Sequence, residues 1–257
     1  YQPLFENYDH QDEALSHAIW NLRYGLFLGR GLGKTKITVD LIRHLKSKSP
    51  SFRCLIIALR VNLYTWANEM EKFTGGELAA MPLIASSPSQ RVKKLAELVA
   101  EDPVAIVITY DTARVFWEEI REAYGYTMLV CDESHKLRSP KSQQTQAVLQ
   151  LAKKAGRRLL LTGTPSLGNP MHMWGQLKVL GDFVVPSQWD YGKQYLVRAH
   201  YNQKIVVGYK NLRRLNSLVS SVSLHKDAEE CLDLPERVFQ DIRVPPTKRQ
   251  RATYNRM

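Results

Sequence analysis

Cysteine is scarce in this chain, with three among 257 residues. Cys54, Cys131 and Cys231 lie far apart and no two share a metal-ligand spacing, so neither a disulfide framework nor a cysteine-based metal site is expected. Cys54 and Cys131 sit inside the apolar runs CLIIAL and MLVCDE, where cysteine acts as a small hydrophobe, a usage that points to a reducing, cytoplasmic setting. Long hydrophobic runs are missing too. Every apolar stretch is too short to cross a bilayer and the N-terminus carries no signal peptide, so no membrane partner is expected. Negative charge is in deficit, with 25 Asp and Glu against 36 Lys and Arg, a formal net charge of +11. Two readings of that excess stand level: a polyanionic partner such as nucleic acid, or lysines scattered over a solvated surface. Internal repeats and low-complexity tracts are absent. The chain runs from Tyr1 to Met257 inside a charged segment and reads as a piece of something longer.

What is present is an alternation. Short apolar runs, YGLFL (24–28), CLIIAL (54–59), VAIVIT (104–109), TMLVCD (127–132) and RLLLTG (158–163), are separated by amphipathic stretches at roughly 35–47, 62–73, 89–100, 112–123 and 142–154. Runs that are apolar throughout suit parallel strands buried on both faces. Their alternation with helices implies βαβ units and an α/β, doubly wound, mostly parallel sheet, which binds ligands at the carboxyl ends of its strands. After residue 165 the strand signal fades and 169–221 reads as a mainly helical extension; 222–257 is charged, proline-bearing and without a core pattern, as a linker would be.

The segment LFLGRGLGKTKITVDLI (26–42) passes from strand to glycine loop to helix, the context that a phosphate-binding loop requires. Gly31 and Gly33, flanking Leu32, let the backbone turn tightly and aim N–H groups inward, and the positive end of the following helix faces the same anion. Lys34 would reach the β- and γ-phosphates and Thr35 would hold Mg²⁺. The bland alternative is a glycine turn with a chance lysine. The usual first glycine of the pattern falls on Leu28, and Arg30 either adds a cation beside the phosphates or points to solvent, the safer reading.

A partner carboxylate is available where MLVCDESH ends a strand in Asp132 and Glu133. Asp132 would hold the metal and Glu133 would act as general base on the attacking water. In LLLTGTP (159–165), Thr162, Gly163 and Thr164 form a strand-end turn whose hydroxyls could bond the acidic pair and report the γ-phosphate, although Gly-Thr-Pro is also good turn chemistry by itself.

In this order, GLGKT, DESH and LTGTP resemble the first RecA-like lobe of superfamily-two helicases, and more closely the Swi/Snf family of double-stranded DNA translocases, in the style of its compact bacterial and phage members. DESHKLRSPKS, LTGTPSLGNPMHMWGQLKVL, LIIALRVNLYTWANEMEKF and AIVITYDTAR each resemble a family segment, and AEECLDLPERVFQDIRVPPTKRQRATYNRM resembles the passage into a second lobe. The resemblance implies an ATP-binding lobe, residues 1–221, of a DNA-dependent ATPase and translocase using ATP and Mg²⁺. Residues 222–257 would lead into a second lobe of the same longer chain that completes hydrolysis. It also implies that Gln11 reads the adenine edge, with Tyr8 or Phe5 nearby. Sequence-independent phosphate contacts to duplex DNA would fall to Arg60, Asn62 and Thr109, with Arg114 and Arg138 beside them. The chain departs from the family at Leu28-Gly29, at Leu59-Arg60, and at SVSLHKDAEE, where an arginine pair is expected. Two rivals stand beside this reading: the motor lobe of a strand-separating helicase or restriction system, and a non-catalytic nucleic-acid-binding module with a vestigial loop.

Overall fold

Side chains alternate between two opposite cores along each central strand. In the computed structural model, which describes residues 3–165 and 168–232 together with positions 245, 247, 250, 251 and 254, Leu55 and Ile57 join one buried cluster and Cys54, Ile56 and Ala58 the other. Leu129 and Cys131 divide from Met128 and Val130 in the same way. A strand covered on both faces has no polar side to show, which is why its sequence does not alternate.

The strands are β1 (Arg23–Leu28), β2 (Cys54–Ala58), β3 (Ala80–Pro82), β4 (Ala105–Thr109), β5 (Met128–Asp132), β6 (Arg157–Leu161), β7 (Leu196–Arg198), β8 (Val206–Tyr209) and β9 (Ser223–Lys226). Seven form one sheet in the order β3-β4-β2-β5-β6-β1-β9, and every pairing in it is parallel. Helices α1 (Asp9–Trp20), α2 (Lys34–Lys48) and α3 (Leu63–Thr74) supply one core through residues such as Leu15, Ile42 and Met70. Helices α4 (Pro88–Glu101), α5 (Tyr110–Ala123), α6 (Gln143–Lys154), α7 (Met171–Leu180), α8 (Gln188–Tyr195) and α9 (Leu212–Ser221) supply the other, and the short α10 (Ala228–Cys231) follows β9. Among the described residues no helix is long and apolar enough to cross a membrane.

The expected α/β sheet with a C-terminal helical part is present, with three additions. β3 extends one edge, where Pro82 costs no ladder bond on the open side. Within the stretch read as helical, β7 and β8 form a separate antiparallel pair. Residues 223–226, read as linker, form β9 alongside β1, pairing Gly25 with Ser223 through to Leu28 with Lys226. Most of the expected linker beyond them falls outside the described residues.

Candidate functional site

β1 ends at Leu28 and α2 begins at Lys34, so the loop 29–33 sits at the carboxyl end of a central strand. Gly31 and Gly33 adopt φ of +82° and +77°, the left-handed region that favours glycine. A Cβ on Gly33 would also stand 2.3 Å from Gln11 Nε2. The first turn of α2 has no side-chain cap and no acidic residue, which leaves its N–H groups and positive dipole end for an outside anion. Lys34 Nζ donates to Leu28 O at 2.8 Å and Gly29 O at 3.0 Å, bracing the loop from within. Leu28 therefore contributes a carbonyl and buries its side chain completely, so a glycine there is dispensable. Burial pulls the Lys34 pKa down, Glu133 and Asp132 push it back up, and Arg30 pushes it down. Arg30 itself is exposed.

Gln11 is only 5 % exposed. Its Nε2 lies 3.5 Å from Leu32 O and its Oε1 accepts from Tyr8 N at 3.3 Å, while His10 Nε2 approaches the same Leu32 carbonyl at 3.2 Å. Tyr8 stacks on His10 with centroids 5.8 Å apart, and the pair lines a cavity of about 710 Å³ shared with Glu13 and Lys226. Phe5 instead packs edge-on against Phe73.

β5 is separated from β1 only by β6, and Asp132, Leu161 and Leu26 lie in one row across the three strands. Asp132 Oδ2 accepts from Trp66 Nε1 at 3.1 Å and Asn62 Nδ2 at 3.2 Å, and Oδ1 accepts from the Glu133 N–H at 3.0 Å. Tyr110 Oη donates to the Asp132 carbonyl at 2.7 Å. Glu133 takes a left-handed φ of +50°, unusual for a residue other than glycine, which turns the chain sharply after the strand. On the other side, the Thr35 hydroxyl bonds the half-buried carboxyl of Glu69, whose pKa is raised by burial and held back by that hydrogen bond.

The third loop touches both neighbours. Thr162 N donates to Leu26 O at 3.3 Å, and a Cβ on Gly163 would stand 3.3 Å from Leu28 O. His135 Nδ1 lies 3.1 Å from Thr162 Oγ1 and 3.2 Å from Glu133 Oε2, and the Thr164 N–H donates to Thr162 Oγ1 at 3.1 Å. One imidazole nitrogen thus connects the acidic pair to the Thr-Gly-Thr turn. Trp66, Glu69, Tyr110 and His135 are site residues that sequence reading left without roles; the tryptophan and acidic pair of LYTWANEME were the available signal.

Beside this cluster, at the ends of β2 and β4, a groove of about 640 Å³ gathers Arg60, Arg91, Thr109, Arg114 and Lys136, with Asp111 as its carboxylate. Thr109 caps α5 by accepting from Thr112 N at 2.9 Å. Arg138 is exposed but does not line the groove, and Asn62 turns its amide inward to Asp132. Arg91 and Lys136 are the rim cations that the sequence pattern did not single out.

A family model described as SNF2-related domain matches residues 10–257. Among individual proteins, the chain is 27% identical over 219 residues to the human DNA annealing helicase and endonuclease ZRANB3, covering 82% of this chain and 20% of that protein. It is 26% identical over 264 residues to the putative protein p41 of Acyrthosiphon pisum secondary endosymbiont phage 1, covering 96% of this chain and 56% of that one. The chain therefore spans between a fifth and just over half of these relatives. In fold it resembles the Sulfolobus solfataricus SWI2/SNF2 ATPase core in complex with dsDNA, with a TM-score of 0.72 at 20% identity over 88% of this chain and 46% of that one.

Proposed function

The chain belongs to the SNF2-related domain family, and on that premise we propose that it is the ATP-binding lobe of a DNA-dependent ATPase that moves along double-stranded DNA. One observation carries the reading: the glycine loop, Asp132-Glu133 and the Thr-Gly-Thr turn meet at the carboxyl ends of β1, β5 and β6, with Lys34 in the field of both carboxylates.

The α2 N–H groups and Lys34 bind the triphosphate, exchanging the Leu28 and Gly29 carbonyls for phosphate oxygens. The Tyr8–His10 cavity beside Gln11 receives the base. Among the described residues no three acidic, histidine or cysteine side chains gather into a complete metal site. Thr35 and Asp132 instead fit Mg²⁺, which takes one or two protein ligands and fills its shell with water and phosphate. When bound, the ion neutralises charge building on the phosphates. Glu133 orients and deprotonates the attacking water, and the His135–Thr162 contact carries the state of that site to the third loop. Arg60, Thr109 and Arg114 grip DNA phosphates without reading bases, and Asn62 and Arg138 flank them. A second lobe, reached through the chain beyond β9, supplies the arginine that such sites use for a rate gain of about a thousandfold or more. Residues 1–257 alone accordingly turn over ATP slowly.

Calorimetry with MgATP tests the core of this reading. Lys34→Ala is expected to abolish binding, and Glu133→Gln to retain it while removing DNA-stimulated phosphate release from the two-lobed protein. Equal affinity in wild type and Lys34→Ala would overturn the assignment.

A further inference from the structure

Between α8 and α9 the β7–β8 hairpin stands apart from the main sheet as its own two-stranded unit. Its position follows from α8, where Tyr191 Oη donates to the carbonyl of Pro170 at 3.0 Å. Pro170 is the cap of α7, the helix whose Gly175 packs against Leu137 shortly after Asp132-Glu133, so α8 and the hairpin that begins five positions after Tyr191 are anchored to that helix.

The hairpin is firmly built. Ala199 N donates to Ile205 O at 2.9 Å, Ile205 N to Asn202 O at 3.0 Å, and Lys204 N to Asn202 Oδ1 at 3.0 Å, closing the tip. At its base Lys210 N donates to Tyr195 O at 3.0 Å, and Arg198 and Lys193 lie over the Trp189 ring at 5.7 and 5.2 Å. From Trp189 to Arg214 the cations are Lys193, Arg198, Lys204, Lys210, Arg213 and Arg214, against one carboxylate, Asp190, which already faces Lys193. At the tip, Tyr201 is 85 % exposed, and Val206, Val207 and Tyr209 of β8 also face solvent.

An aromatic ring held in the open by an ordered loop, on a segment with six cations to one carboxylate, suits one chemistry above others, stacking on a base while cations of the segment hold phosphates of the same strand. A duplex hides its base faces, and phosphates alone would call for cations without the ring. We propose that the hairpin is a second nucleic-acid contact that stacks unpaired DNA bases on Tyr201, with Lys204 on a neighbouring phosphate and Lys210 and the arginines of α9 on phosphates further along the strand. This rests on the DNA reading above and extends it from duplex phosphates to the junction between duplex and single strand.

The test is anisotropy of labelled oligonucleotides at one salt concentration, using the full chain and three DNAs: a blunt duplex, that duplex with a single-stranded tail, and the single strand alone. Tyr201→Ala is expected to weaken tailed and single-stranded binding about tenfold and to leave the blunt duplex unchanged, whereas Tyr201→Phe keeps wild-type affinity. Lys204→Glu should weaken all forms that reach the hairpin. Arg60→Ala, on the rim, should weaken every DNA that contains a duplex whether or not the hairpin idea holds. An equal loss on all three DNAs for Tyr201→Ala, or no loss on any, overturns the hairpin proposal alone. Wild type that binds none of them overturns the DNA reading along with it.

Discussion

Asp132 is held by more donors than its place at the end of a strand would suggest. Trp66 and Asn62 converge on one oxygen, the Glu133 N–H takes the other, and Tyr110 fixes the carbonyl behind it. A nearly buried carboxylate needs such partners, and together they set its direction before any cation arrives. Trp66→Phe keeps most of the packing but removes a hydrogen bond to a charged group. It should cost about 1.5–3 kcal/mol of stability, read from the denaturant midpoint, and weaken MgATP binding in calorimetry with Lys34 untouched. A variant as stable as wild type would mean that water replaces the indole. Lys34, Thr35, Asp132 and Glu133 were legible because each sits at a fixed offset from a strand end, and the structure gathers them. The Trp66 and Tyr110 contacts were not, because they tie the segments after β2 and β4 to the end of β5, and adjacency in a parallel sheet leaves no mark on local spacing; the Glu69 contact likewise joins two separate helices, α3 and α2. Asn62 shows the same limit: its sequence position suggests the rim, while its amide serves Asp132.

Helices α2 to α6 were legible to within a residue or two, since each carries an apolar stripe between strands. β3, β7, β8 and β9 were not: they are three or four residues long, and Pro82, Arg198 and His225 break any apolar run. At this scale the contact between α7 and the turn 134–138 makes a sharp expectation. Gly175 faces Leu137 so closely that a Cβ would lie 2.1 Å from its carbonyl oxygen. Alanine normally favours a helix over glycine by about 1 kcal/mol, yet here the backbone approach decides. Gly175→Ala should destabilise by about 1–3 kcal/mol, lowering the thermal midpoint, and should push the turn that carries His135 out of place. Loss of DNA-stimulated turnover beyond what the stability change explains would show that the turn's position matters to the third loop. A raised midpoint would mean that α7 shifts freely along the turn.

For the whole molecule, the charge excess left open by composition acquires an address, with Arg60, Arg91, Arg114 and Lys136 on one rim and the cations of the hairpin on another. DNA affinity should fall linearly on a log–log salt plot, and Arg60→Ala should flatten the slope by about 0.9, the share of one phosphate; an unchanged slope would remove Arg60 from the contact set. The place of β9 reaches further. Gly25 N donates to Val222 O and Gly29 N to Lys226 O, both at 2.9 Å, and Ala228 packs against Gly29, so the strand that presents the glycine loop is completed by residues near the far end of the lobe. A chain ended at Ser221 should leave β1 as an open edge, with a lower unfolding midpoint and a tendency to aggregate, measurable by light scattering. On a ribosome the order is reversed: β1 is made early and must wait for β6 and then β9. The glycine loop therefore stays without its supporting strands until almost all of the lobe has emerged, and a stalled or truncated product exposes an unpaired, largely apolar strand to any chaperone waiting at the tunnel exit.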